Sequence, residues 1–198
     1  MMVMTASNQQ ARYIPIKQQP YCCMQSCFQM IMARRDIPLV SQAVMATMMG
    51  LVVPPKDKDK FPDARVSDVP PYGTIIMSDA MMPSEVFKKL HIPLVATLVR
   101  IDEFDGEDDI SDYLVDKLND GVDLMVGVQI GKLYGNTLPY SHSLLVDSYN
   151  PESSMVRLVD PEPNMPQCLD VSLPTLIDAM EELGARNWGG FIEVTESS

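Results

Sequence analysis

Two regimes of apolar patterning divide this chain. From Met24 to Arg35 there is no Gly or Pro, and the stretch is rich in Met, Gln and Phe, which predicts a helix with Cys23 at or beside its first turn. Asp36-Ile37-Pro38 stops it. Ser41 then suits the N-cap of a second helix through Met49, with Val44 and Met48 one turn apart and Gly50 as its stop. Beyond residue 120 the runs become short and strand-like: Val122 to Ile130, Ser141 to Tyr149, Met155 to Val159 and Gly189 to Val194, with one amphipathic helix over Leu173 to Leu183. Asn150-Pro151-Glu152 is turn chemistry, so the strands on either side of it are expected to form an antiparallel hairpin.

The middle of the chain is less regular. Pro54, Pro55, Pro62, Pro70 and Pro71, with the run Lys56-Asp57-Lys58-Asp59-Lys60, predict an irregular connection from Val52 to Tyr72, long enough to cover a cleft. A short helix over Ser84 to Leu90, a strand over Pro93 to Ile101 and a helix over Ile110 to Asn119 follow, the last closed by Gly121. The sum is an α+β chain in one domain: a helical lobe at 1–51, a Pro-rich connection at 52–80 and a sheet lobe at 81–198. With 198 residues and 46% hydrophobic content it can bury a real core, and its 16 Met supply adaptable packing.

Charge narrows the partners. A formal charge of −12 with no Lys/Arg stripe opposes nucleic acid and anionic membrane surfaces, leaving a basic or neutral peptide as the easier partner. No basic segment followed by a long apolar stretch opens the sequence, and no apolar run approaches the ~20 residues of a membrane span, so a cytoplasmic protein is expected. Three of the four cysteines crowd into Cys22, Cys23 and Cys27, with Cys168 alone, which reads as reduced thiols rather than a disulfide framework. The acidic cluster Asp102, Glu103, Asp105, Glu107, Asp108 and Asp109 reads as a solvated turn ahead of a helix, because Gly106 does not stand where a calcium loop needs it.

Chemistry concentrates in two distant segments. Cys23 at a helix start would gain thiolate stability from the helix amides, and its own N–H is a donor for an oxyanion. The chain has two histidines. His91 sits at a helix-to-strand join and reads as structural or surface; His142, in Ser141-His142-Ser143, is the candidate base. A lone His on an apolar strand is more often a satisfied core residue, and only its combination with Cys23 changes the odds. Asp160, at the far end of the hairpin, can accept from the imidazole and fix its tautomer; by itself it reads equally as a turn residue before Pro161. Asp147 alternates to the opposite face from His142 and is the poorer partner. Gln18 and Gln19 both offer a side-chain amide as the second oxyanion donor.

The segment Gln18-Gln19-Pro20-Tyr21-Cys22-Cys23-Met24-Gln25-Ser26-Cys27-Phe28-Gln29-Met30 resembles the nucleophile segment of papain-like cysteine peptidases, in their bacteriocin-processing, C39-like branch. His142 with its apolar strand, the turn, the second strand and Asp160-Pro161 resemble the family's second segment, and Asn187-Trp188-Gly189-Gly190-Phe191 its close. The resemblance implies a papain-like fold, with the helical lobe packed on an antiparallel sheet and an active-site cleft between. It also implies peptide-bond hydrolysis through Cys23, His142 and Asp160 on a peptide or protein substrate, with no cofactor and no metal. The family's Asp before the nucleophile is Cys22 here, its Gly after it is Met24, and the glutamines stand five and four residues before Cys23. Cys22 therefore remains an alternative nucleophile and Met24 a possible obstruction, while Cys27 reads as packing. Three other outcomes stay open: acyl transfer by the same triad as an amidase, cyclase or transferase; a non-catalytic papain-like binding module; and a thiol-redox or metal site on Cys22, Cys23 and Cys27, against which stands the lack of a Cys-x-x-Cys pair.

Overall fold

The computed structural model describes residues 11–197. Helix α1 (Cys23–Arg34) and helix α2 (Gln42–Met48) form where expected, although α2 buries Met45 and Ala46 and leaves Val44 exposed. The connection that follows is more ordered than its prolines suggest. Strand β1 (Leu51–Val53) pairs in parallel with β2 (Arg65–Val66) and antiparallel with β3 (Gly73–Thr74), with a 3-10 turn over Pro55–Lys60. Two-residue strands carry too little periodicity to be legible in sequence; each is held by pairing with β1, and β3 also by a side chain of α1. The buried Gln25 of α1 donates to Thr74 Oγ1 at 2.9 Å.

Helix α3 (Pro83–Lys89) leads into β4 (Leu94–Arg100), helix α4 (Glu107–Asn119), β5 (Asp123–Gln129) and a single turn of helix, α5 (Ile130–Leu133). Then come β6 (Ser141–Asn150), β7 (Met155–Val159), β8 (Cys168–Ser172), helix α6 (Leu173–Leu183) and β9 (Gly190–Glu196). These strands form one six-stranded antiparallel sheet in the order β4-β9-β5-β6-β7-β8. β8 and α5 have no counterpart in the sequence reading. α4 starts three residues earlier than expected, so Glu107, Asp108 and Asp109 occupy its first turn, where negative charge suits the positive end of the helix.

Both faces of this sheet are covered. Met125, Leu145, Val159, Ile192 and Val194 pack with Phe28, Met30 and Ile31 of α1 and with Phe87 of α3. The residues between them, including Val126, Leu144, Val146, Leu158 and Phe191, pack with Leu114 of α4 and with Leu176 and Met180 of α6. Burial on two sides explains why β5 and β6 read as unbroken apolar runs instead of alternating ones. A smaller cluster of Cys22, Ala46, Leu51, Val53, Phe61 and Ala64 joins the helical lobe to the connection. Among the described residues no helix is long and apolar enough to cross a membrane.

Where strands approach closely, glycine is required. A Cβ on Gly127 of β5 would lie 2.3 Å from the carbonyl oxygen of Trp188, which itself stands in the left-handed region at φ 73°. Gly190, at φ 138°, would bring a Cβ to 2.3 Å from the Val99 carbonyl oxygen.

Candidate active site

Cys23 is placed by a tight turn. Cys22 N–H donates to Gln19 O at 3.0 Å across Pro20 and Tyr21, and Tyr21 takes the left-handed conformation at φ 68°. Proline at the second position and positive φ at the third are the marks of a type II turn. The turn delivers the chain into α1 with Cys23 as its first residue. Cys22, the N-cap, makes no side-chain capping bond, and no acidic residue occupies the first turn. The positive end of the helix is thus left free to favour an anion on Cys23.

The two adjacent thiols differ sharply. Cys22 is fully buried in the apolar cluster of the helical lobe, and burial, with the charge of Cys23, pushes its thiol up to about 12. Cys23 is half-buried. Burial would raise its thiol, but hydrogen bonding to His142, the charge of that imidazole, and donors from the backbone and hydroxyl of Ser143 outweigh it and hold the thiol below its ordinary range. Cys27, one helical turn on, is fully buried, donates to Ser143 O at 3.5 Å and is pushed well up by burial. Met24 is half-buried and packs against the main core beside α1.

His142 is set by the β6–β7 hairpin. Leu145 lies opposite Val159, so His142 near the start of β6 and Asp160 just past β7 face each other diagonally across the pair. His142 Nε2 lies 2.7 Å from Asp160 Oδ1, with side-chain exposures of 3% and 0%. With Nε2 engaged, Nδ1 is the ring nitrogen left for Cys23. Burial opposes charge on the ring, but the Asp160 carboxylate and the Cys23 sulfur overcome it and raise the imidazole above its ordinary range. Asp160 is held on both oxygens: Oδ1 also accepts from Glu162 N–H at 2.7 Å, and Oδ2 from the Tyr134 hydroxyl at 2.6 Å. Tyr134 and Ser143 are the participants that sequence reasoning missed. Ser143 adjoins the base, which was a usable signal; Tyr134 follows the unforeseen α5, and none existed.

The other sequence candidates fall elsewhere. Asp147 sits where the β6–β7 register shifts and accepts from the N–H groups of Arg12 at 2.7 Å and Tyr13 at 3.4 Å, so it anchors an earlier segment and does not orient His142. His91 is exposed at the end of α3 with φ 54°. Gln19 is exposed, and its backbone N–H donates to Gln42 Oε1 at 2.6 Å. Gln18 N–H donates to Pro161 O at 2.8 Å and its Nε2 to Glu162 Oε2 at 2.7 Å, while its buried Oε1 has no partner. An orphaned buried acceptor costs about 1–3 kcal/mol. The connection lies against the nucleophile turn: Tyr21 donates to Asp57 Oδ2 at 2.7 Å and packs edge-on to Phe61 and Tyr72. A shallow apolar depression lined by Val44, Met48, Phe61 and Pro62 flanks this region, and none of Cys23, His142 or Asp160 lines it. No group of three or more His, Cys, Asp or Glu side chains that could hold a metal occurs among the described residues.

The arrangement as a whole matches a known architecture. The chain superposes on the crystal structure of a "putative C39-like peptidase" from Bacillus anthracis with a TM-score of 0.55 and 13% identity, over 93% of this chain and 95% of that one. No family model matches the sequence. No curated protein matches it either.

Proposed function

We propose that this chain, whose fold is α+β and papain-like, is a cysteine peptidase that hydrolyses a peptide bond through Cys23, His142 and Asp160. The observation that carries the reading is the coupling of Cys23, at an uncapped helix start with its thiol lowered, to a buried His142 held by Asp160 at 2.7 Å. His142 takes the thiol proton on Nδ1, and the thiolate attacks the amide carbonyl. The Cys23 N–H and the Gln18 amide receive the oxyanion. His142 then returns the proton to the leaving amine, and water, activated by the same imidazole, releases the acyl group from sulfur. The substrate is a peptide or protein.

Digestion of a peptide library or a denatured proteome by the natural protein and by Cys23→Ala tests this. New termini that depend on Cys23 support the reading. Identical profiles, together with iodoacetamide alkylating Cys23 no faster at pH 6–7 than an ordinary thiol, would remove it.

A further inference from the structure

Glu162 stands outside the triad, yet two of its polar contacts bear on the site, and the others hold its own turn through Asn164 and Met165. Its N–H donates to Asp160 Oδ1 at 2.7 Å, Oε2 accepts from Gln18 Nε2 at 2.7 Å, and Oε1 accepts from Asn164 Nδ2 at 3.0 Å and from Asn164 N at 3.4 Å. Between them Pro161 O receives the Gln18 N–H at 2.8 Å. Three consecutive residues therefore grip the base side of the site at one end and Gln18 at the other.

A side-chain amide has two faces, one a double donor and the other an acceptor. A carboxylate accepts only, so Glu162 admits one of the two flips: Nε2 toward Glu162 and Oε1 away. Nothing else selects that flip, because Oε1 is buried without a donor. Holding the amide by one N–H of Nε2 leaves the second N–H of the same nitrogen unspent. The reversed flip would set Oε1 against the carboxylate and turn an acceptor where an oxyanion needs a donor.

We infer that Glu162 is a positioning residue for the oxyanion site: it fixes the flip of the Gln18 amide so that the free N–H of Nε2 is presented to the carbonyl oxygen under attack. The inference rests on the acyl-enzyme reading above and names the residue that orients one of its donors.

Two reactions of the same sulfur separate this role from a general one. Alkylation by iodoacetamide displaces iodide from a saturated carbon and forms no oxyanion; acylation by 4-nitrophenyl acetate passes through one. Each rate is measured against the Cys23→Ala background. In Glu162→Ala the acylation rate of Cys23 falls by about tenfold, less than the roughly 10²–10³-fold of deleting an oxyanion donor outright, while alkylation is unchanged. Glu162→Gln, whose own carbonyl oxygen can accept from Gln18 Nε2, recovers most of the acylation rate. Adding Glu162→Ala to Gln18→Ala costs nothing further, because the two act as a unit. An equal fall in both reactions would show that Glu162 acts through Asp160 and the triad, and would overturn the inference, as would unchanged acylation in Glu162→Ala. A natural protein that is alkylated but not acylated at Cys23 sinks the enzymatic reading and this inference together; one that is acylated equally well with and without Glu162 sinks only the inference.

Discussion

Asp160→Asn isolates what the carboxylate does for the thiol. The substitution keeps the shape and an oxygen to accept from Tyr134 or Glu162 N–H, but removes the charge 2.7 Å from His142 Nε2. Both side chains are sealed from solvent, so screening does little. For unit charges about 4 Å apart at an effective dielectric near 20, the interaction is about 4 kcal/mol. At about 1.4 kcal/mol for each tenfold change in proton affinity, the imidazole loses most of what raises it above its ordinary range. The imidazole is raised and the thiol lowered, so both shifts favour passing the Cys23 proton to His142. Without Asp160 the ring gives up its proton at lower pH, the sulfur loses its counter-charge, and thiolate formation moves up toward the ordinary thiol range near about 8.5. The assay is the rate of iodoacetamide incorporation at Cys23 from pH 4 to 9, with circular dichroism to show that the variant is folded. The acid limb of the profile shifts upward, and at pH 6 the rate falls by about tenfold or more. An acid limb unmoved in the folded variant would show that Asp160 does not sustain the ion pair, and the triad assignment would fail with it.

Three further outcomes follow from packing and charge. Cys22→Ala leaves the alkylation rate of Cys23 at pH 7 unchanged and costs about 1 kcal/mol in urea unfolding, since its buried sulfur only fills space. Asp123→Ala costs about 3–5 kcal/mol in the same measurement, because the buried carboxylate is the acceptor for Arg34, Arg35 and the Tyr13 hydroxyl and its loss leaves them uncompensated. Gly127→Ala sets a methyl group 2.3 Å from a backbone oxygen in a central strand, and about 1–3 kcal/mol of destabilisation, or failure to fold, is the expected result of thermal unfolding.

The legible parts of the fold were those whose signal is local. α1 lies where a Gly- and Pro-free apolar run stands, β7 at Met155–Val159 and α6 at Leu173–Leu183 match their expected bounds, and the Asn150-Pro151 turn sits between β6 and β7 as its chemistry demands. β1, β2 and β3 were not legible because strands of two or three residues are defined by pairing partners up to 23 residues away. β8 hid for a related reason: Cys-Leu-Asp-Val-Ser is half-exposed at the edge of the sheet and carries little apolar alternation. In the site, the relation between His142 and Asp160 could be read from hairpin logic, since both lie on one supersecondary unit. The different surroundings of Gln18 and Gln19 could not. They turn on Glu162, a residue whose type says nothing until the segment after Asp160 is folded back onto residue 18.

That folding back explains how a nucleophile and a base from opposite ends of the chain keep a fixed separation. Packing of α1 on the sheet sets Cys23 near β6. The segment before it is tied elsewhere: Arg12 and Tyr13 N–H to Asp147 on β6, the Tyr13 hydroxyl to Asp123 on β5 at 2.6 Å, and Gln18 N–H to Pro161 beyond β7. Ser26 of α1 in turn donates to Ile16 O at 2.7 Å, so the helix grips the same segment from its other side. Residues 12 to 18 thus run between the two halves of the site, bonded to both, and each contact spans more than a hundred residues on the sheet side. Such contacts close large loops and are entropically expensive to form. Their placement at Asp123, Asp147 and the Asp160-Pro161 corner makes the position of Cys23 relative to His142 depend on the assembled sheet as well as on α1.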